Sequence, residues 1–153
     1  MKNYPHNYRV VVDVRPGDDV ELISRDLPPL AIAAPAEFEG PGDRWSPETM
    51  LVGSIAGCFI LTFAAVAGVA KVVWTSVTCE VDGRLDRIDN VTQFTRFDLH
   101  VRLVVPGATD RALAQRTLER AERQCLISNS LRAKFDLRVD IDVEPMPQPV
   151  VAA

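Results

Sequence analysis

Residues 46–74 read SPETMLVGSIAGCFILTFAAVAGVAKVVW, and the architecture follows from what this stretch becomes. From Thr49 to Ala70 it carries no charge. Ser46 can cap a helix, and Pro47 fits the first helical position, where its missing N–H would have no partner anyway. Glu48 then falls in the first turn, where the helix dipole favours a negative charge. The run is too apolar for a one-sided surface helix and requires burial nearly all round. As a helix, 22 residues span about 33 Å, enough to cross a bilayer. Gly53 and Gly57 even form a GxxxG pair, which lets helices approach closely in membranes. The flanks decide against a bilayer: they are amphipathic strand patterns with no basic cluster or aromatic belt to set a topology. Small residues at Gly53, Ala56, Gly57, Ala64, Ala65 and Gly68 serve as well to pack a central helix against a sheet and another helix. A second subunit covering part of that helix, and hence a homodimer, is the expectation.

The rest of the chain fits a soluble protein. Its 153 residues suit one domain, expected over 1–153 with a loose proline-rich tail from about 145. A formal net charge of −4 argues against nucleic acid as the main partner, because phosphate recognition needs a concentrated basic face. The first six residues are polar and lead into a strand pattern, so the expected location is cytoplasmic. Three cysteines, Cys58, Cys79 and Cys125, lack CxxC spacing and fit neither a disulfide scaffold nor a zinc site. His6 and His100 have no ligand-spaced partners and read as surface residues. Trp45 and Trp74, which bracket the central run, read as packing residues.

Taken in order, strand patterns fall at residues 8–14, 20–24 and 30–34, separated by Arg15-Pro16-Gly17-Asp18 and Pro28-Pro29. After the central helix, Val77, Cys79 and Val81 alternate with polar residues, as do Phe97, Leu99, Val101, Leu103 and Val105. The second of these is expected to be a long, half-buried antiparallel strand. Thr109 or Asp110 can cap an amphipathic helix carrying Leu113, Thr117, Leu118, Ala121 and Cys125 on one face. Ser128 can cap a further short helix, and Leu137, Val139, Ile141 and Val143 mark a last strand. Strands, buried helix, strands, amphipathic helix and strand make an α+β protein.

The chemistry rests on thiols. Cys79, on the apolar face of a strand, reads as a small hydrophobe. Cys58 in the central helix and Cys125 at the end of the second can meet if the helices pack. One thiolate can then attack an oxidant, and the other thiol can resolve the sulfenic acid as a disulfide. Burial raises a thiol pKa, so a nearby cation is expected to lower it. Arginine suits this role, with Glu48 as the carboxylate that holds it. Glu48 and Cys58 lie about 15 Å apart along a straight helix, so they cannot touch directly.

Ser46-Pro47-Glu48-Thr49-Met50-Leu51 leading to Ala56-Gly57-Cys58-Phe59, and then Cys125-Leu126-Ile127-Ser128-Asn129-Ser130-Leu131, together resemble the OsmC/Ohr family of hydroperoxide reductases. The likeness runs from the N-terminal strands to the last one. It implies an OsmC-like fold in which antiparallel sheets wrap a central buried helix, assembled as an intertwined homodimer with active sites at the subunit interface. It implies Cys58 as the peroxidatic thiol, Cys125 as the resolving thiol and Glu48 as the glutamate. The activating arginine falls at Arg15, with Arg25 and Arg44 as alternatives. The implied activity is a thiol peroxidase for organic hydroperoxides, with hydrogen peroxide as a further candidate substrate, that needs no metal or bound cofactor. An external dithiol, lipoyl-type in the Ohr branch, restores the thiols; neither nucleic acid nor membrane is an expected partner. The alternative is a non-catalytic OsmC-like protein that binds a small apolar ligand at the dimer interface.

Overall fold

The computed structural model describes residues 3–144, so the expected tail from 145 lies outside the described residues. The chain forms two compact units, Met1–Leu51 and Val52–Ala153. In the first, β1 (Val11–Val12), β2 (Val20–Ile23) and β3 (Leu30–Ile32) form an antiparallel sheet in that order. A single 3-10 turn follows at Ala36–Phe38. Gly40 is required just beyond it: a Cβ there would lie 1.7 Å from the Ala34 carbonyl oxygen, closer than non-bonded atoms can approach.

The central run is α1 (Pro47–Ala70), which begins in the first unit and continues into the second. Its start is capped as the sequence requires. The Thr49 amide donates to Ser46 Oγ at 3.1 Å, and the Ser46 amide donates to Thr49 Oγ1 at 2.8 Å. This reciprocal pair satisfies two otherwise orphaned donors, and Ser46 is buried. Lys71, at φ 57, ends the helix in the left-handed region.

The second unit is built on β4 (Ser76–Ile88), β5 (Val91–Pro106) and β6 (Lys134–Glu144), with β5 in the centre. β5 runs antiparallel to β4 and parallel to β6, so the connection through α2 (Arg111–Gln124) is a crossover. Asp110 caps α2 by accepting from the Ala112 and Leu113 amides. Ser128 opens the 3-10 turn Ser128–Ser130 but makes no capping hydrogen bond, contrary to expectation; the residue before it, Ile127, already has helical backbone angles.

The β4–β5 hairpin reaches well beyond the alternating residues read from sequence. Asp89 and Asn90, at φ 49 and 64, turn it with the positive φ pair that two-residue hairpins favour. A bulge beside Arg84 and Leu85 leaves Thr95 without a partner in the register. That extra residue puts Phe94 and Phe97, three apart, on one face, where their rings stack at 5.1 Å. Phe135 of β6 continues the stack.

The core of this unit is the inward face of β5 (Phe97, Leu99, Val101, Leu103, Val105), one face of α1 (Ile55, Phe59, Phe63, Ala67) and one face of α2 (Ala114, Leu118, Ala121). Gly83 admits α1 to the sheet: a Cβ there would lie 2.8 Å from Val52 and 2.9 Å from Phe97. The other side of α1 is bare. Leu61 is 74% exposed and Val69 77%, and a Cβ added at Gly57 or Gly68 would meet nothing within 4 Å. This differs from the all-round burial expected of so apolar a run. One sheet and one helix can cover only one side of a cylinder. By length and composition alone α1 could also cross a membrane.

Candidate functional site

Two helices bring the candidate thiols together. Cys58 lies one turn beyond Ser54 on α1, at the border between its covered and bare faces, and is half-buried. Cys125 caps the C-terminus of α2, where the backbone turns extended at φ −65, ψ 113, and its side chain is fully buried. Both are free thiols, and they lie within hydrogen-bond reach of each other. Cys58 and Cys125 thus both belong to the second unit and are neighbours there.

Their surroundings separate the two thiols. Burial is the largest single influence on Cys58 and pushes its pKa up. Hydrogen bonds from the Ile127 amide, the Cys125 thiol, the Leu126 amide and the Thr62 hydroxyl together outweigh it, and the net direction is down. Cys125 moves the other way, chiefly through burial, and further because it donates to Cys58 and faces its charge. Ser128 opposes that rise. Its hydroxyl is buried without a regular hydrogen bond but lies close enough to favour a Cys125 thiolate. Cys58 therefore ionises first, while Cys125 stays protonated and donates to it.

Cys79 sits on the inward side of β4, paired with Val101. Burial, then the charges of Cys125 and Glu80, push its pKa up to about 11. It is a protonated, half-buried thiol at neutral pH, as its strand position suggested.

The remaining sequence-inferred residues belong to the first unit. Arg15 lies in the turn between β1 and β2, is exposed, and makes no ion pair among the described residues. Arg25 pairs loosely with Asp26 at 3.4 Å, both almost fully exposed. Arg44 is held by Asp19 at 2.5 Å and lies 3.8 Å from Asp43. Of the three arginines, Arg44 is thus already committed and Arg15 is not. Glu48 has a buried Oε2 with no hydrogen-bond partner. It lines an apolar cleft of about 370 Å³ with Val20, Ile32, Ala33, Ala34, Pro35, Phe38 and Pro47.

The histidines are peripheral. His100 faces outward from β5 and contacts Asp140 at 2.6 Å, while His6 is exposed against Tyr4. Trp74 meets Phe63 edge-to-face at 5.7 Å, and Trp45 is half exposed. Among the described residues, no group of three or more His, Cys, Asp or Glu side chains could hold a metal ion.

Sequence reasoning missed the donors around Cys58. Thr62 follows it at the i+4 spacing that places two side chains on one helix face. Leu126 and Ile127 act through backbone amides, which side-chain identity does not show. The only sequence signal for them is the polar Ser-Asn-Ser that ends α2 just beyond Cys125.

Comparison with known proteins gives a consistent picture. Residues 40–140 match the family described as OsmC-like protein. An uncharacterized protein of Bacillus subtilis, YmaD, is 27% identical over 146 residues, covering 93% of this chain and 91% of its own. An OsmC-like protein of unknown function from Vibrio cholerae superposes with a TM-score of 0.80 at 15% identity, covering 89% of this chain and 100% of its own. An organic hydroperoxide resistance protein OsmC from Legionella pneumophila superposes with a TM-score of 0.69 at 23% identity, over 91% of this chain and 100% of its own.

Proposed function

The chain belongs to the OsmC-like protein family, and from that premise we propose that it is a thiol peroxidase that reduces organic hydroperoxides. The observation that carries this reading is the Cys58–Cys125 pair: two free thiols in hydrogen-bond reach, one with a lowered and one with a raised pKa. Solved structures of the same fold include proteins named for organic hydroperoxide resistance.

The Cys58 thiolate attacks the distal peroxide oxygen. The O–O bond breaks, Cys58 keeps the distal hydroxyl as a sulfenic acid, and the alkoxide takes a proton from solvent and leaves as the alcohol. Its negative charge is then gone, and with it one of the influences that held the Cys125 pKa up. Cys125 sulfur attacks the Cys58 sulfur and the hydroxyl departs as water with the Cys125 proton, leaving a disulfide. An external dithiol, of lipoyl type, reduces the disulfide by exchange and is itself oxidised. The apolar bare side of α1 next to Cys58, with Leu61 exposed on it, favours peroxides with apolar bodies.

Glu48 and Arg15 enter as a pair: the unpartnered Glu48 oxygen is one that a free arginine would satisfy. On this reading a second copy of the chain covers the bare side of α1, where Gly57 and Gly68 allow close approach. The reading also puts the protein in the cytoplasm, where reductant keeps its thiols free. Cumene hydroperoxide should consume two thiols per chain, and a dithiol should restore them. Cys58→Ser should abolish turnover.

A second reading, a non-catalytic binder of a small apolar ligand, draws on the apolar cleft beside Glu48. It predicts that Cys58 alkylates no faster at neutral pH than free cysteine.

A further inference from the structure

Cys58 is expected from sequence to need a cation, yet every lowering influence on it in the second unit is a hydrogen bond. Two come from consecutive amides, Leu126 and Ile127. α2 stops at Cys125, and the chain turns before the 3-10 segment begins at Ser128. Among the described residues, neither the Leu126 nor the Ile127 amide donates to a backbone carbonyl, whereas Cys125, Asn129, Ser130 and Leu131 around them all do. A helix break that frees successive N–H groups makes a concave anion site. Here the group it faces is the Cys58 sulfur. From α1 itself, Thr62 adds a hydroxyl one turn along.

We propose that the Leu126 and Ile127 amides and the Thr62 hydroxyl form a thiolate cradle that activates Cys58 from within its own unit. This deepens the peroxidase reading and rests on it. The titratable neighbours of the cradle are Cys125 on α2 and, through Cys125, Cys79 on β4; both stay protonated at neutral pH, so neither opposes the Cys58 charge. The amides are fixed by the backbone and cost little to orient, while Thr62 is the one side-chain donor of the three. Loss of one such donor to a charged sulfur corresponds to roughly tenfold or more in thiolate population.

The test is the pH profile of iodoacetamide alkylation at Cys58, read peptide by peptide in the full-length reduced protein, with no peroxide present. Thr62→Val should move the profile to higher pH and slow alkylation at pH 7 about tenfold, while Thr62→Ser restores it. Leu126→Pro removes one amide that has no backbone acceptor, behind a residue whose extended backbone already suits a following proline. It should shift the profile in the same direction. The cradle is overturned if both Thr62→Val and Leu126→Pro overlay the wild type while Arg15→Ala alone shifts the profile. Alkylation is read independently of peroxide turnover. A chain that shows these shifts but reduces no peroxide would keep the cradle and lose the peroxidase reading.

Discussion

The two sides of α1 are built from the same apolar vocabulary and meet opposite fates. On one, Ile55, Phe59, Phe63 and Ala67 are wholly buried against the sheet and α2. On the other, Leu61 and Val69 stand about three-quarters exposed, with glycines facing open space. The covered side explains how one chain folds. The bare side is too apolar to have been shaped for water, and a second copy of the chain is the partner proposed for it. Cys58 sits where the two sides meet, so the proposed reaction depends on both.

Charging the bare side should have the largest effect. Leu61→Arg should leave a folded chain but abolish the dimer, because a symmetric interface buries the unpaired charge twice, at several kcal/mol each. Light scattering should show a shift from dimer to monomer; an unchanged mass would mean that Leu61 faces solvent in the assembly. On the covered side, Phe59→Ala should cost about 3–5 kcal/mol, read as a large fall in the urea midpoint. Equal losses from Leu61→Ala and Phe59→Ala within a monomeric protein would erase the distinction between the sides.

Gly83→Ala is a smaller probe of the same packing. Its Cβ would press on Val52 and Phe97, and overpacking of this kind costs about 1–3 kcal/mol. The smallest effect expected is at alkaline pH. Cys79 has a folded pKa of about 11, above its ordinary value of 9.0. Its contribution to stability is therefore complete below pH 9 and is lost as pH rises through 11. Cys79→Val should flatten that alkaline loss when urea melts on either side of this window are compared; an unchanged slope would assign the loss to other groups.

Much of this was legible in the sequence, and the reasons are local. Ser46, Pro47 and Thr49 start α1 through short-range hydrogen bonds, Asp110 starts α2, and the alternation from Phe97 to Val105 marks the central strand. The turn end of the β4–β5 hairpin was not legible. The bulge at Thr95 breaks the period of two, so Phe94 and Phe97 read as facing opposite ways when they share a face. At the site, Cys58 and Cys125 could be put forward as a pair because side chains carry that chemistry. The amides of Leu126 and Ile127 could not, because their role comes from where α2 ends rather than from what those residues are. Within the second unit the influences that lower the Cys58 pKa are hydrogen bonds, and two of their four donors are backbone amides that no residue-type argument could name in advance.

Everything proposed for the site depends on Cys58 and Cys125 acting as one redox pair. Peptide mapping after one equivalent of cumene hydroperoxide is added to the fully reduced protein addresses this without intermediate assumptions. The expected products are a Cys58–Cys125 disulfide, Cys79 left as a free thiol, and a Cys58 sulfenic acid trapped by dimedone in Cys125→Ser. Cys58 and Cys125 both recovered as free thiols, or full peroxide turnover by Cys58→Ser, would contradict it.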